Sequence, residues 1–584
     1  MEQFKRIPYG ISNFKQLRRE NKYFVDKSKY IKTLEDESNF LFFIRPRRFG
    51  KSIFLNMLRA YYDLNDAKDF DTLFDGLWIK EHPTPEKNSY QVVYLDFSRV
   101  GGNSADLEQN FDGYCGILLD SFADSYKEYY PEDFVDGVRN TKTARQKLNY
   151  IDTAAKRAGC RLYLIIDEYD NFTNSVLNEE GEKVYHALTH ATGFYRDIFK
   201  QFKGMFDRIL MLGVSPVTMD DLTSGYNIAS NITMKPQFNM MLGFSETDVR
   251  EMIRYYQSVG NITRSEDDIV EEMRPWYDNY CFAGDSLDSD PKMFNCDMVL
   301  YYLSNLISSG HSPKQMIDPN TRTDYGKMKK LIRLDGTGTY RTSIINEIAE
   351  KGYTLGNIDE SFPAEHLTQP QKFKSLLFYY GMLTISGRVG AVLKLGIPNH
   401  NVRRQYYDYL LEEYQSIHPL PTYDLDMPYY EAAVEGNWHA MMDLLMTMYS
   451  ENTSVRSLIE GERLRVGEQS SGMRNLQGFM NALLNLNPYY LTAPEVELNH
   501  GYCDFFLMPD LMRYPMVEHS YILELKYLKT DATEAEADEQ WTEAVSQIRR
   551  YGEGPKVRQM IQQTQLHLIV VQIRGYQLNR MEEI

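Results

Sequence analysis

Residues Asn39 to Ser52 read N-F-L-F-F-I-R-P-R-R-F-G-K-S. An apolar run ends in a basic turn, and Ile53 to Tyr62 then carries apolar residues at helical spacing. Strand, tight loop and helix in that order are the context a phosphate-binding loop requires. Backbone N–H groups at a helix N-terminus favour anionic oxygens. The loop meets the pattern G-x-x-x-x-G-K-[ST] except at its first position, where Arg45 stands for glycine. Glycine there would allow an unusual φ and close backbone approach, so Arg45 alters the loop's expected geometry. In this reading Arg45, Arg47, Arg48 and Gly50 surround the phosphates. Lys51 reaches the β- and γ-phosphates, and the Ser52 hydroxyl ligates Mg²⁺.

Working outward, Val92 to Phe97 (V-V-Y-L-D-F), Leu162 to Ile166 (L-Y-L-I-I) and Ile209 to Val214 (I-L-M-L-G-V) are further short apolar runs. Near-continuous runs of this length indicate parallel strands covered on both faces. Their alternation with helices predicts an α/β, doubly wound parallel sheet. The run L-Y-L-I-I continues into Asp167-Glu168. An apolar strand ending in two acids is a Walker B pattern. Asp167 would hold Mg²⁺ and Glu168 would polarise the attacking water. After the next strand, Ser215 or Thr218 could sense the γ-phosphate, or cap a helix. Together the two motifs point to ATP and Mg²⁺ as ligands.

Several of these segments resemble the AAA-ATPase-like family of bacterial proteins. They are P-Y-G-I-S-N-F (Pro8 to Phe14), Y-F-V-D-K-S (Tyr23 to Ser28), F-I-R-P-R-R-F-G-K-S (Phe43 to Ser52), I-I-D-E-Y-D (Ile165 to Asp170) and G-V-S-P (Gly213 to Pro216). M-L-G-F-S (Met241 to Ser245) and W-Y-D-N-Y (Trp276 to Tyr280) belong with them. The resemblance covers roughly the first 300 residues. It implies a P-loop core followed by a helical lid, with arginine usual at the first loop position.

The length of 584 residues leaves room for several units. The expected division is a P-loop core over 1–235, a helical lid and middle region over 236–420, and a C-terminal domain over 421–584. The linker is read from Pro419, Pro421 and Pro428. No apolar stretch approaches the ~20 residues of a membrane span, and the N-terminus lacks an apolar signal region. Five scattered cysteines without a C-x-x-C pair argue against a disulfide framework or a zinc knot, and fit a cytoplasmic setting. His186 and His190 stand four apart, but Ala187 occupies the place where a zinc protease needs glutamate. The net charge of −18 discourages a chain that coats nucleic acid through overall charge. A local basic site remains compatible with it.

The C-terminal region carries the second chemical signal. Glu495 to Asp504 read E-V-E-L-N-H-G-Y-C-D, and Tyr521 to Leu528 read Y-I-L-E-L-K-Y-L. Strand alternation puts Ile522, Glu524 and Lys526 on one face, and Tyr502, Asp504 and Phe506 on one face of the preceding strand. If the two strands pair as a hairpin, Asp504, Glu524 and Lys526 converge. Two carboxylates and a lysine suit metal-assisted phosphodiester hydrolysis. Asp504 and Glu524 would hold Mg²⁺, or Mn²⁺ in its place, and Lys526 would position water or stabilise the phosphorus centre. This set resembles a PD-(D/E)XK nuclease domain, which follows the ATPase-like domain in the same family. The resemblance implies an α/β restriction-endonuclease-like fold and an upstream acid at Glu495 or Glu497. It also implies a helix bearing Gln547, Ile548 and Tyr551. An acid is also expected on the helix before these strands, yet Arg474 to Leu484 has none and Glu468 is the nearest upstream.

The expected function is an ATP-binding, ATP-hydrolysing protein with a metal-dependent nuclease-like domain acting on DNA or RNA. The alternative is a nucleotide-gated switch or scaffold whose nuclease-fold domain is inactive and binds a partner. A homo-oligomer is compatible with either, and no membrane association is expected.

Overall fold

The computed structural model describes residues 4–102, 105–171, 194–216, 229–289, 292–319, 339–362, 366, 369–417, 419–451, 468–498 and 501–584. Thr218, His186 and His190 lie outside them. The chain divides into two compact units. The first comprises Met1–Gly338 with Leu355–Asn399, and the second comprises Thr339–Thr354 with His400–Ile584.

The first unit is built on a parallel sheet. Its strands are β1 (Phe40–Ile44), β2 (Gln91–Asp96), β3 (Leu162–Asp167), β4 (Arg208–Gly213) and the short β5 (Ser230–Asn231), in the order β2-β3-β4-β1-β5. Every residue of β3 and β4 is buried, as expected for strands covered on both faces. Helices α1 (Lys51–Tyr62), α2 (Leu107–Tyr126), α3 (Ala144–Ala158) and α4 (Phe194–Met205) alternate with the strands. All four long strands therefore end at one edge, and β4 separates the ends of β1 and β3. Ligands of open α/β sheets bind outside such carboxyl ends.

After the sheet come α5 (Glu246–Ser258), α6 (Glu266–Tyr277) and α7 (Cys296–Ser309). Ser245 caps α5 in a capping box with Asp248. A hairpin of β6 (Thr384–Val389) and β7 (Val392–Gly396) belongs to the same unit.

The second unit contains α8 (Thr339–Lys351), α9 (His400–Ile417), α10 (Trp438–Glu451) and α11 (Glu468–Leu484). Then follow β8 (Tyr490–Leu498), β9 (Gly501–Pro509), β10 (His519–Leu528), α12 (Glu534–Gly552), α13 (Pro555–Ile561), β11 (Gln565–Arg574) and β12 (Gln577–Glu583). The sheet order is β12-β11-β10-β9-β8. Strands β9 and β10 are antiparallel, with Phe506 opposite Ile522, whereas β10 and β11 are parallel. Helix α12 buries Trp541, Ala544, Ile548 and Tyr551 against Cys503, Phe506 and Ile522. All five cysteines are free thiols. Among the described residues no helix is long and apolar enough to cross a membrane.

Candidate functional sites

The loop between β1 and α1 turns through two left-handed residues, Arg48 (φ +67°) and Gly50 (φ +84°). Gly50 is the N-cap of α1, and Lys51 is its first residue. Lys51 is buried, and its Nζ donates to the carbonyls of Arg45 (3.0 Å) and Pro46 (2.8 Å). An ammonium held by its own loop's carbonyls is exchangeable: a phosphate oxygen is a stronger partner. Burial lowers the Lys51 pKa, opposed by Glu168 and Asp167.

Asp167, at the end of β3, is buried, and burial raises its pKa against the Ser52 hydroxyl and Lys51. Tyr94 donates to its Oδ2 at 3.3 Å, while Oδ1 is buried with no partner. A buried carboxylate oxygen without a donor is costly unless a cation completes it. Asp167 and Ser52 thus fit a nucleotide-bound Mg²⁺. Glu168 adopts φ +50° and lines a cavity together with Lys51 and Ser52. Burial raises its pKa too, which suits a group that exchanges protons with water.

That cavity has a volume of about 600 Å³, within the range of small-molecule sites. Arg47, Arg48, Lys51 and Ser52 line it, as do Ser98, Glu168 and Asn171. Pro8, Ile11, Phe24, Met241 and Phe244 give it an apolar wall. The early motifs P-Y-G-I-S-N-F and Y-F-V-D-K-S thereby form the apolar half of the cavity. The M-L-G-F-S motif has a structural role as well. Gly243 donates to the Phe49 carbonyl at 3.0 Å. It has φ +89°, and an added Cβ would stand 3.0 Å from the Phe49 ring and 3.2 Å from the Phe294 carbonyl. Phe49 itself packs edge-on to Tyr280 (4.9 Å) of W-Y-D-N-Y. These motifs brace the loop from behind.

Three of the expected nucleotide residues have other partners. Arg45 is fully buried and does not line the cavity. Its guanidinium donates to the carbonyls of Ile44 (3.0 Å), Thr233 (2.9 Å) and Phe238 (3.0 Å). It lies between the rings of Phe43 (4.1 Å) and Phe282 (4.2 Å). Burial lowers its pKa to about 9, so it keeps its charge at neutral pH. Arg45 is therefore a core residue here: its two terminal nitrogens donate to backbone carbonyls, its buried Nε has no partner, and the side chain does not line the cavity. Ser215 is also buried; its N–H donates to Asp170 Oδ2 at 2.6 Å, and it is not among the cavity's lining residues. Asp170 accepts from Val214 N as well, at 3.2 Å, so it ties the end of β3 to the end of β4. Arg48 lines the cavity but pairs with Asp297 on α7 at 2.6 Å.

Asp96 was not anticipated. It ends β2 in register with Asp167. Its Oδ1 accepts from Ser98 N (3.0 Å) and Ser98 Oγ (2.6 Å). The acid at the end of V-V-Y-L-D-F could have signalled this, because parallel strands end at a common edge.

In the second unit the β9–β10 pairing brings Asp504, Glu524 and Lys526 together. Asp504 Oδ2 accepts from Leu525 N at 2.6 Å. Lys526 Nζ donates to Glu524 Oε1 and to Gln547 Oε1, both at 2.9 Å. Glu524 is buried, and its Oε2 has no partner. Burial and the neighbouring Asp504 push the Glu524 carboxyl upward, and burial raises Asp504 as well. An orphaned carboxylate oxygen beside a second carboxylate fits a divalent cation. The helix before the strands reaches the site through a residue the sequence reading passed over. Gln477 Nε2 on α11 donates to Asp504 Oδ1 at 2.7 Å. Its signal was a glutamine within the apolar run L-Q-G-F-M-N-A-L-L. The side chains of Glu468, Glu495 and Glu497 lie outside the described residues, although the backbone of Glu497 pairs with Tyr502. Among the described residues no group of three or more His, Cys, Asp and Glu side chains is arranged to hold a metal.

Comparison with known proteins gives two family matches. Residues 8–223 match the model described as predicted AAA-ATPase, and residues 473–583 match the PD-(D/E)XK nuclease superfamily. A curated relative, an uncharacterized protein in the vnfD 5' region of Azotobacter chroococcum mcd 1, is 26% identical over 295 residues. The match covers 48% of this chain, and the chain spans about half the length of that relative (50%). Among solved structures, the Aeropyrum pernix ORC2 protein is 11% identical with a TM-score of 0.30, covering 66% of this chain and 92% of that one. Cdc6p from Pyrobaculum aerophilum is 11% identical with a TM-score of 0.25, covering 64% and 88%.

Proposed function

For a chain that carries a predicted AAA-ATPase domain and a PD-(D/E)XK nuclease-superfamily domain, we propose an ATP-binding and ATP-hydrolysing protein with a metal-dependent nuclease-like centre acting on DNA or RNA. One observation carries the nucleotide half. Lys51 and Ser52 share a cavity with Glu168, and the Ser52 hydroxyl meets the buried carboxylate of Asp167, whose Oδ1 is without a partner. In this reading Lys51 leaves the Arg45 and Pro46 carbonyls for the β- and γ-phosphates. Ser52 and Asp167 would hold Mg²⁺, which would supply neutralisation of phosphate charge. Glu168 orients water, and the apolar wall takes the base. Arg47, Arg48 and Gly50 complete the cradle.

In the C-terminal centre Asp504 and Glu524 are the metal-holding carboxylates. Mg²⁺ or Mn²⁺ would there polarise a phosphodiester and a water. Lys526, fixed between Glu524 and Gln547, faces the developing negative charge. Gln477 also favours a second reading: a nucleotide-gated switch or scaffold whose nuclease fold binds a partner without cleaving. An amide in place of a third carboxylate weakens metal loading.

The test uses purified protein in two assays. Lys51→Ala is expected to abolish ATP binding by calorimetry; unchanged ATP affinity overturns the cavity assignment. DNA and RNA panels with Mg²⁺ or Mn²⁺, with and without ATP, test the second centre. Cleavage lost in Asp504→Ala and Lys526→Ala supports the nuclease. Full cleavage in those variants removes it, and absence of any cleavage by the parent protein favours the scaffold.

A further inference from the structure

Lys27, Arg47, Arg48 and Lys51 are the basic residues that line the nucleotide cavity. Lys27 and Arg48 each meet an acid from a helix that follows the sheet. Lys27 Nζ donates to Asp248 Oδ2 at 2.6 Å, and the same oxygen accepts from the Ser245 N–H (2.7 Å) and hydroxyl (2.8 Å) in the capping box of α5. Arg48 Nη1 donates to Asp297 Oδ2 at 2.6 Å. The two acids differ in place: Asp297 lines the cavity and Asp248 does not. Asp297 stands in the first turn of α7, which also holds the Arg48 backbone. The Arg48 carbonyl accepts from the Cys296 thiol at 3.1 Å and from the Asp297 N–H at 3.4 Å. By these contacts α7 braces a residue whose φ is +67°.

A carboxylate works against phosphates that enter the same cavity, because like charges in one site repel. A guanidinium donor that faces a carboxylate is also withheld from a phosphate oxygen. The Arg48 and Asp297 side chains are 26% and 21% exposed, so water screens these effects only in part. We propose that Asp297 competes with nucleotide phosphate for Arg48, so that nucleotide binding and the hold of α7 on the phosphate loop oppose each other. The proposal rests on the ATP-binding reading of this cavity. Entering phosphates take Arg48 from Asp297, and α7 loses its charged contact with the loop. Coupling of this kind is reciprocal: whatever draws α7 off the loop raises nucleotide affinity by the same factor.

The experiment titrates the full chain with a non-hydrolysable ATP analogue and Mg²⁺ by calorimetry. It also follows amide hydrogen exchange in α7 with and without saturating analogue. Asp297→Asn keeps the side chain's shape and removes its charge. It should tighten analogue binding about fivefold or more, the lower end of coupling between sites. Asp297→Glu, which keeps the charge, should stay close to the parent. In an Arg48→Gln background Asp297→Asn should lose most of its gain, because the acid acts through Arg48. In the parent chain the analogue should speed exchange in the first turn of α7, a result that needs no variant to fold. Affinity in Asp297→Asn equal to or below the parent's overturns the competition, as does exchange in that turn that the analogue slows or leaves unchanged. Either result leaves ATP binding standing. No binding by the parent, or binding that Lys51→Ala does not weaken, overturns the nucleotide reading itself.

Discussion

Replacing Arg45 by methionine should unfold the first unit more easily while leaving nucleotide affinity almost unchanged. The guanidinium donates to three buried carbonyls, those of Ile44, Thr233 and Phe238, at 2.9 to 3.0 Å. Methionine fills much of the volume between Phe43 and Phe282 but donates to none of them. The Phe238 carbonyl keeps the Met241 N–H at 3.2 Å, so at most two acceptors are left unpaired, at about 1–3 kcal/mol each. Loss of two desolvated cation–π contacts adds about 2 kcal/mol or more each. Against this stands the relieved cost of burying the charge, several kcal/mol. The balance is a loss on the order of 3–5 kcal/mol. For a unit of this size that lowers the melting midpoint on the order of 5 °C. Differential scanning calorimetry measures the midpoint, and ATP titration well below it measures affinity in the folded state. A variant that melts like the parent yet binds ATP tenfold more weakly would refute the reasoning. It would mean that the guanidinium serves the phosphates.

Three further outcomes follow from the same structure. Asp170→Ala should destabilise the first unit by roughly 2–5 kcal/mol, because the Val214 and Ser215 N–H groups lose their buried acceptor; a urea midpoint equal to the parent's would show that the clamp is idle. Ser215→Ala should leave ATP hydrolysis within about twofold of the parent, since Ser215 does not line the cavity; a much larger fall in kcat at unchanged KM would restore it as a phosphate sensor. His400 is half-buried by its accessible surface, and desolvation of its ring lowers its pKa to about 3 from 6.5. The unfolded chain therefore binds the extra proton first, and stability is lost as pH falls below about 6.5 toward 3. His400→Gln should flatten that part of the stability–pH curve, up to about 1.4 kcal/mol per pH unit; identical curves for variant and parent would sink the assignment.

The two chemical centres differ in how far they can be read along the chain. Lys51, Ser52, Asp167 and Glu168 stand out because strand ends and helix starts are local features, and their chemistry follows from residue type. Side-chain alternation made the faces carrying Asp504, Glu524 and Lys526 legible, because a two-residue period determines which side chains share a face, and their convergence followed on the condition that the two strands pair. Gln477 was not. Nothing in its own segment says which strand end its helix covers, and the acid expected there was sought as a charge.

What the sequence determined by itself was therefore the alternation that makes a doubly wound sheet, the phosphate loop at its edge and the carboxylate–lysine strands near the C-terminus. These are matters of period and neighbouring residue type. Tertiary structure decided what each polar group does. Arg45 belongs beside the phosphates by sequence position, yet its partners Thr233 and Phe238 lie about two hundred residues away. Asp96 meets Asp167 only because β2 lies against β3, and Gln477 meets Asp504 only because α11 reaches β9. A buried donor takes whichever acceptor packing brings within hydrogen-bond distance, since leaving it unpaired is costly. That choice depends on contacts between segments, which no local pattern encodes.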